Sequence, residues 1–412
     1  MNILSFSIVA FLLTDQLLAL ATPFSSGLGL IVFILCLALS LVPELKTSVG
    51  LLRTFKRKLT LTNCLLPVLL VPYSLFCVVN APCNGQITFA IATVLLIVFT
   101  WFFIKIYVEH IKFKNIIEPN HALFGLLLIY FFLCMAANGY DLYSMLQEML
   151  TNRPSGLYSE PSHLILYASP LIFTVIHDNK TRLLGILLTI FIFVLAFTVT
   201  NAALISLVMF FYTSHYFISR KELSLVKGNF IIFVVMILFA LSFNRPYIQD
   251  RLNVSQEINV SQETRNLSTL VYLNGWLLAK ESLLNTSGTG LGLGSMGCSE
   301  SINNSSSTLS AFTKTYDGEI ICARSGSFLA SKIISELGVL GVLILIYIAF
   351  KLLCFFKVGV SRKFDLILYG TVSLTITLLF IRGTTYFSAP SIFCLLMMLN
   401  YSHAPAVKKS CS

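Results

Sequence analysis

The chain has 412 residues, of which 56% are apolar and only 11% charged, and its mean hydropathy is +0.85, far beyond what a soluble domain tolerates. That excludes a water-soluble enzyme, and the lack of strict apolar and polar alternation excludes an outer-membrane barrel. The net charge of +10 does not point to nucleic acid, because most of the excess is accounted for by basic loops on one side of a membrane.

A helix satisfies its own backbone hydrogen bonds in lipid and an isolated strand does not, so apolar runs of roughly 17 to 25 residues read as spanning helices. The expected fold class is therefore an all-α polytopic membrane protein. In chain order the spans fall near 3–21, 26–43, 62–80, 86–104, 121–138, 162–178, 183–199, 202–218, 229–243, 328–350, 365–381 and 385–402, about twelve in all. The first lacks a basic leader and runs on into a second, so it reads as a retained helix carrying Asp15. The long apolar run from Leu183 to Ile218 is divided at Thr198-Val199-Thr200-Asn201; without that division every later segment would change sides.

Positive charge supports the division, since Lys and Arg in short loops stay cytoplasmic. Alternate connections carry Lys46, Arg53, Lys56, Arg57 and Lys58, then Lys105, Lys112 and Lys114, then Lys180 and Arg182, then Arg220, Lys221 and Lys227, then Lys351, Lys357, Arg362 and Lys363, and finally Lys408 and Lys409. Both termini are expected in the cytoplasm. The opposite side keeps Arg153, Arg245, Arg251, Arg265, Lys280, Lys314, Arg324, Lys332 and Arg382.

Two outer loops stand out, a medium one at 139–161 and a large one at 244–327; the chain otherwise forms a single integral membrane domain, 1–412. The large loop is rich in Asn, Ser, Thr and Gly and holds two tandem hexads starting at Asn253 and Asn259. Its Asn-x-Ser/Thr triplets are expected by chance in such a composition. Within it, Arg265 to Lys280 has an apolar spacing compatible with an amphipathic helix lying on or dipping into the membrane surface. The run Gly288, Gly290, Gly292 and Gly294 lacks the strand and helix of a nucleotide fingerprint; it reads either as a cradle for an anionic or sugar ligand or as a flexible turn. Cys298 and Cys322 share the loop and are placed to pair in an oxidising compartment, with Cys77 and Cys83 a weaker candidate pair. No Cys and His spacing suits zinc, so no metal or other cofactor is expected.

Candidate chemistry gathers in Arg153-Pro154-Ser155-Gly156-Leu157-Tyr158-Ser159-Glu160-Pro161-Ser162-His163, which sets an arginine, a carboxylate and a histidine at a membrane surface. The planar fork of arginine suits phosphate through bidentate, charge-assisted hydrogen bonds. Arg153, Arg265, Arg324 and Arg382 come from separate loops and would together suit a lipid-linked diphosphate at the outer leaflet. Glycosyl transfer from that carrier needs a base to deprotonate the attacking hydroxyl, for which Glu160 and His163 are in the right loop; the arginines would stabilise the leaving diphosphate without a metal. Each has a plainer role too: an outer Arg as a headgroup contact, and Glu160 as a helix N-terminal charge. Glu336, inside a span, is a functional candidate by default, with Lys332 or Arg382 its nearest plausible partners.

The stretch Arg153-x-x-Gly156-Leu157-x-x-Glu160-Pro161-Ser162 resembles the pattern of bacterial O-antigen and capsule repeat-unit polymerases of the Wzy type, in the O-antigen polymerase and ligase superfamily. Arg251-Leu252, Arg265 ahead of the glycine run, Ser335-Glu336-Leu337-Gly338-x-x-Gly341, and Ile381-Arg382-Gly383 with Tyr386 follow the same layout. The chain departs in its hexad insertion and in the spacing of Arg265 to Gly275, one residue shorter than in some members. The resemblance implies an inner-membrane glycosyltransferase acting on its periplasmic face, transferring the growing glycan from undecaprenyl diphosphate onto a newly flipped, lipid-linked repeat unit. Arg153, Arg265 and Arg324 would then hold diphosphate or position sugar, with Arg382 and Arg251 as further contacts, Glu160 as base or orienting acid, and His163 and Glu336 in support. Membrane lipid, the flippase, a chain-length regulator and the undecaprenyl-diphosphate-linked oligosaccharide are the expected partners. The rival O-antigen ligase is disfavoured by a large loop with no histidine, and a flippase of the same lipid-linked oligosaccharide by charges that sit in loops rather than spans.

Overall fold

A computed structural model describes residues 71–77, 79, 91, 94, 95, 166, 169, 207, 267–296, 328–356, 363–383, 386, 388 and 390–395. The described residues are helical or lie in turns, with no strand among them. Three longer helices can be followed: α1 (Leu267–Asn285), α2 (Leu329–Phe356) and α3 (Lys363–Phe380). Residues 71–77 and 390–395 are helical as well.

α1 and the start of α2 run side by side in the same direction. Phe328, fully buried, lies between the rings of Tyr272 and Trp276, each with its centroid 4.8 Å away. Such tilted pairs add about 1 kcal/mol beyond their buried area. Further along, Ser282 and Ser335 share a 2.7 Å hydrogen bond between fully buried hydroxyls. α1 ends past the expected Lys280, and its buried positions Asn274, Leu278, Ala279 and Ser282 recur at helical spacing on one face, while Trp276 and Leu284 on the other are exposed. Burial and polarity do not coincide on α1, because its buried face includes Asn274 and Ser282. Arg265, expected at its start, lies outside the described residues.

α2 carries the apolar stretch Leu329–Leu353, long and apolar enough to cross a membrane, with a mean hydropathy of 2.5. α3 returns antiparallel, since Gly383, just past its end, packs against Phe328 at the beginning of α2. Its buried hydroxyls bond back to the preceding turn: Ser373 to Tyr369 O, Thr375 to Thr371 O and Thr377 to Ser373 O, all within 3.0 Å. A polar side chain satisfied inside its own helix can be buried at little cost. A small core of Val94, Leu293 and Leu337, with Tyr73, Ile333 and Tyr386 packed on it, joins the segment after α1, α2 and the residues after α3.

Candidate functional site

α2 is broken where the sequence reads Ser335-Glu336-Leu337-Gly338. Gly338 has φ 58° and ψ −134°, a conformation closed to residues with a side chain. A break of this kind strands carbonyls and amides that a continuous helix would pair. Here they are taken up by the glycine run. Leu291 N donates to Ser335 O at 3.0 Å, Gly292 N to Glu336 O at 2.8 Å, and past the break Val339 N donates to Gly288 O at 2.8 Å. Glycine is required on both sides: a Cβ at Gly290 would sit 2.5 Å from Gly338 N, and a Cβ at Gly338 would meet Gly288 O. Between the glycines, Leu291 and Leu293 are buried, each contributing about 2 kcal/mol of apolar burial. The run is therefore a fitted segment that completes a broken helix.

The helical segment 71–77 fastens this joint from another part of the chain. Tyr73 Oη, with one proton to donate, lies within hydrogen-bond distance of both Thr289 O (2.7 Å) and Leu337 O (3.1 Å), one carbonyl on each side of the junction. Ser74 Oγ accepts from Leu293 N at 3.0 Å, and Cys77 Sγ lies 3.3 Å from Thr289 O. Cys77 is a buried free thiol, so its candidate pairing with Cys83 is set aside; Cys298 and Cys322 lie outside the described residues. No feature of the apolar span 62–80 announced this contact, although Tyr73 and Ser74 side by side in a run of aliphatics were a polar signal to follow.

Glu336, two residues before the break at Gly338, is fully buried, and both its carboxylate oxygens are engaged. Tyr386 Oη donates to Oε2 at 2.9 Å; Oε1 accepts from Met296 N at 3.4 Å and faces Lys332 Nζ at 3.9 Å. Lys332 Nζ also lies 5.0 Å from the centroid of the Tyr386 ring, within cation–π range. A carboxylate can be buried in this way because charge, backbone amide and phenol together replace its water. Ser295, between two residues whose backbones reach the carboxylate, is fully buried with its hydroxyl unpartnered.

The segment carrying Arg382 is tied to the same cluster. Ile381 N and Arg382 N both donate to Thr377 O at 2.9 Å, ending α3. Gly383 then lies so close to Phe328 that a Cβ there would strike its Cα, and Tyr386 reaches Glu336. Of the sequence candidates, the structure thus brings Glu336 together with the Arg382 segment, the glycine run and Lys332, the partner expected from one turn away. Arg153, Glu160, His163, Arg251, Arg265 and Arg324 lie outside the described residues. Tyr386 stood in the sequence pattern without a role, and its hydroxyl proves to be the contact across elements.

Among the described residues, no group of three or more His, Cys, Asp and Glu is placed to hold a metal. No family model, curated protein or solved structure matches the chain.

Proposed function

We propose that the chain is a repeat-unit polymerase of the bacterial inner membrane, a glycosyltransferase acting on undecaprenyl-diphosphate-linked oligosaccharides at the periplasmic face. One observation carries this reading: three separated patches of the sequence pattern, Gly288 to Gly294, Ser335 to Gly341 and Arg382 to Tyr386, pack into one cluster. In the reaction, the bond between the anomeric carbon of the growing glycan and its diphosphate oxygen breaks as the hydroxyl of the incoming unit attacks. Glu160 takes the hydroxyl proton with His163 in support, and Glu336 supports the site from inside the protein, away from the transferred proton. Arg153, Arg265, Arg324, Arg382 and Arg251 bind the diphosphate and offset the charge it gains on leaving.

The same cluster gives some support to a second reading. A discontinuous apolar helix with buried charges at its break is also how transporters build midplane sites, which favours a flippase for the same lipid-linked oligosaccharide more than the sequence did.

The test is the surface glycan ladder of a strain deleted for the gene and complemented with wild type or Arg153→Ala, at matched protein levels in the membrane. The polymerase predicts that deletion leaves core plus a single repeat, that wild type restores the ladder, and that the variant does not. Polymer held on the carrier with naked core indicates the ligase; repeat units trapped on the cytoplasmic face indicate the flippase.

A further inference from the structure

The carboxylate of Glu336 is in the wrong state of access for a group that must take a proton from substrate. It has no exposed surface, and both oxygens already face donors from three directions: its own helix through Lys332, the glycine loop through Met296 N, and the segment after α3 through Tyr386. A general base must come within hydrogen-bond reach of the proton it removes, and here each approach is taken. What the carboxylate does hold is Tyr386, three residues after Gly383 in the sequence. Ile381 and Arg382 are pinned by Thr377 O, Gly383 by its close packing on Phe328, and Tyr386 by its Oη on Glu336 at 2.9 Å. Arg382, partly buried, lies between the first two pins.

We propose that Glu336 is a positioning residue, clamping Tyr386 and thereby fixing Arg382 where it can bind substrate diphosphate, and is not the base. The role given to Arg382 rests on the polymerase reading; the clamp itself does not. Lys332 belongs to the clamp, balancing the buried charge and packing on the ring that the clamp holds.

Two measurements test it, both on the full chain. In detergent-solubilised enzyme supplied with lipid-linked repeat units from the deletion strain, Tyr386→Phe and Glu336→Gln should each raise KM for the carrier-linked donor roughly tenfold, a loss of the order expected for a displaced binding group. In both variants kcat and the acid limb of its pH profile should be retained. A silent Tyr386→Phe beside a Glu336→Gln enzyme whose kcat collapses and whose acid limb disappears would overturn the proposal in favour of a base. Independently of any activity, Arg382→Cys in native membranes should react several-fold faster with a water-soluble maleimide when Tyr386→Phe is added. An unchanged rate overturns the clamp. A faster rate in a protein that consumes no donor keeps the clamp and rejects the polymerase.

Discussion

The two halves of α2 are one helix in sequence and two different environments in space. Before Gly338, Ser331, Ser335 and Glu336 are fully buried and Lys332 nearly so, and the backbone itself is bonded to the glycine run. After it, Val339, Leu343, Ile346, Tyr347, Phe350 and Leu353 are each more than half exposed, forming an apolar stripe at helical spacing, with Lys351 Nζ 5.5 Å from the Tyr347 ring near its far end. An aliphatic stripe of that length is unfavourable in water and costs nothing against acyl chains. The contrast teaches that along α2 exposure does not follow polarity: the hydroxyls and the ion pair before the break go inside the protein, and a stripe of large hydrophobics after it is left outside, as the proposed bilayer surroundings require.

The sharpest way to break the division is at its boundary. Gly338→Ala forces a side chain into a left-handed conformation, at about 1–3 kcal/mol, and drives a Cβ into Gly288 O, adding about 1–3 kcal/mol of overpacking. The expected loss is about 4 kcal/mol, read as a collapse of folded protein in a denaturant titration of the solubilised chain; a variant that titrates like wild type would show the break to be dispensable. Next comes the polar half. Glu336→Ala leaves Lys332 buried beside a vacated carboxylate site and removes the acceptor of Met296 N and Tyr386 Oη, so a loss of about 3 kcal/mol is expected. Adding Lys332→Met should recover part of it, and an absence of recovery would mean that the hydrogen bonds, not the ion pair, carry the cost.

The apolar half is tested with the opposite kind of change. Leu343→Lys puts a charge on the exposed stripe, near the middle of Leu329–Leu353. In contact with acyl chains it should cost about 2.5 kcal/mol of membrane insertion, seen as a fall in the inserted fraction in a translocon assay. If the stripe faced water, the substitution would change insertion and stability by no more than about 0.5 kcal/mol.

How much of this could be read in advance differs element by element. The runs 328–350 and 365–381 anticipate α2 and α3 closely, because a long aliphatic run leaves a helix little alternative. α2 extends to Phe356 because the apolar residues continue past Lys351 as Leu352-Leu353-Cys354-Phe355-Phe356. The break at Gly338 was not legible: a glycine inside a helical run is tolerated, and what makes this one different is a loop more than forty residues upstream. Glu336 and Lys332 stood out as charges in an apolar run, and their spacing of one turn made Lys332 one of two candidate partners, with Arg382 the other. Their link to Tyr386 lay across a chain reversal, which no local pattern encodes. The same holds for Tyr73 and its two carbonyl acceptors.

The smallest effect separates packing from hydrogen bonding along the α1–α2 seam, where Ser282 and Ser335 meet at 2.7 Å with both hydroxyls fully buried. Removing one hydroxyl leaves the other facing a methyl group with its best partner gone, so Ser282→Ala should cost about 1 kcal/mol. Ser335→Ala should cost about the same, although its backbone carbonyl still receives Leu291 N. The double variant removes both polar groups and replaces them with apolar ones of nearly the same size, and should return close to wild-type stability. Additive losses in the double variant would show instead that the hydroxyls serve partners other than each other, and that the parallel pairing of α1 with α2 rests on the aromatic contacts at Phe328.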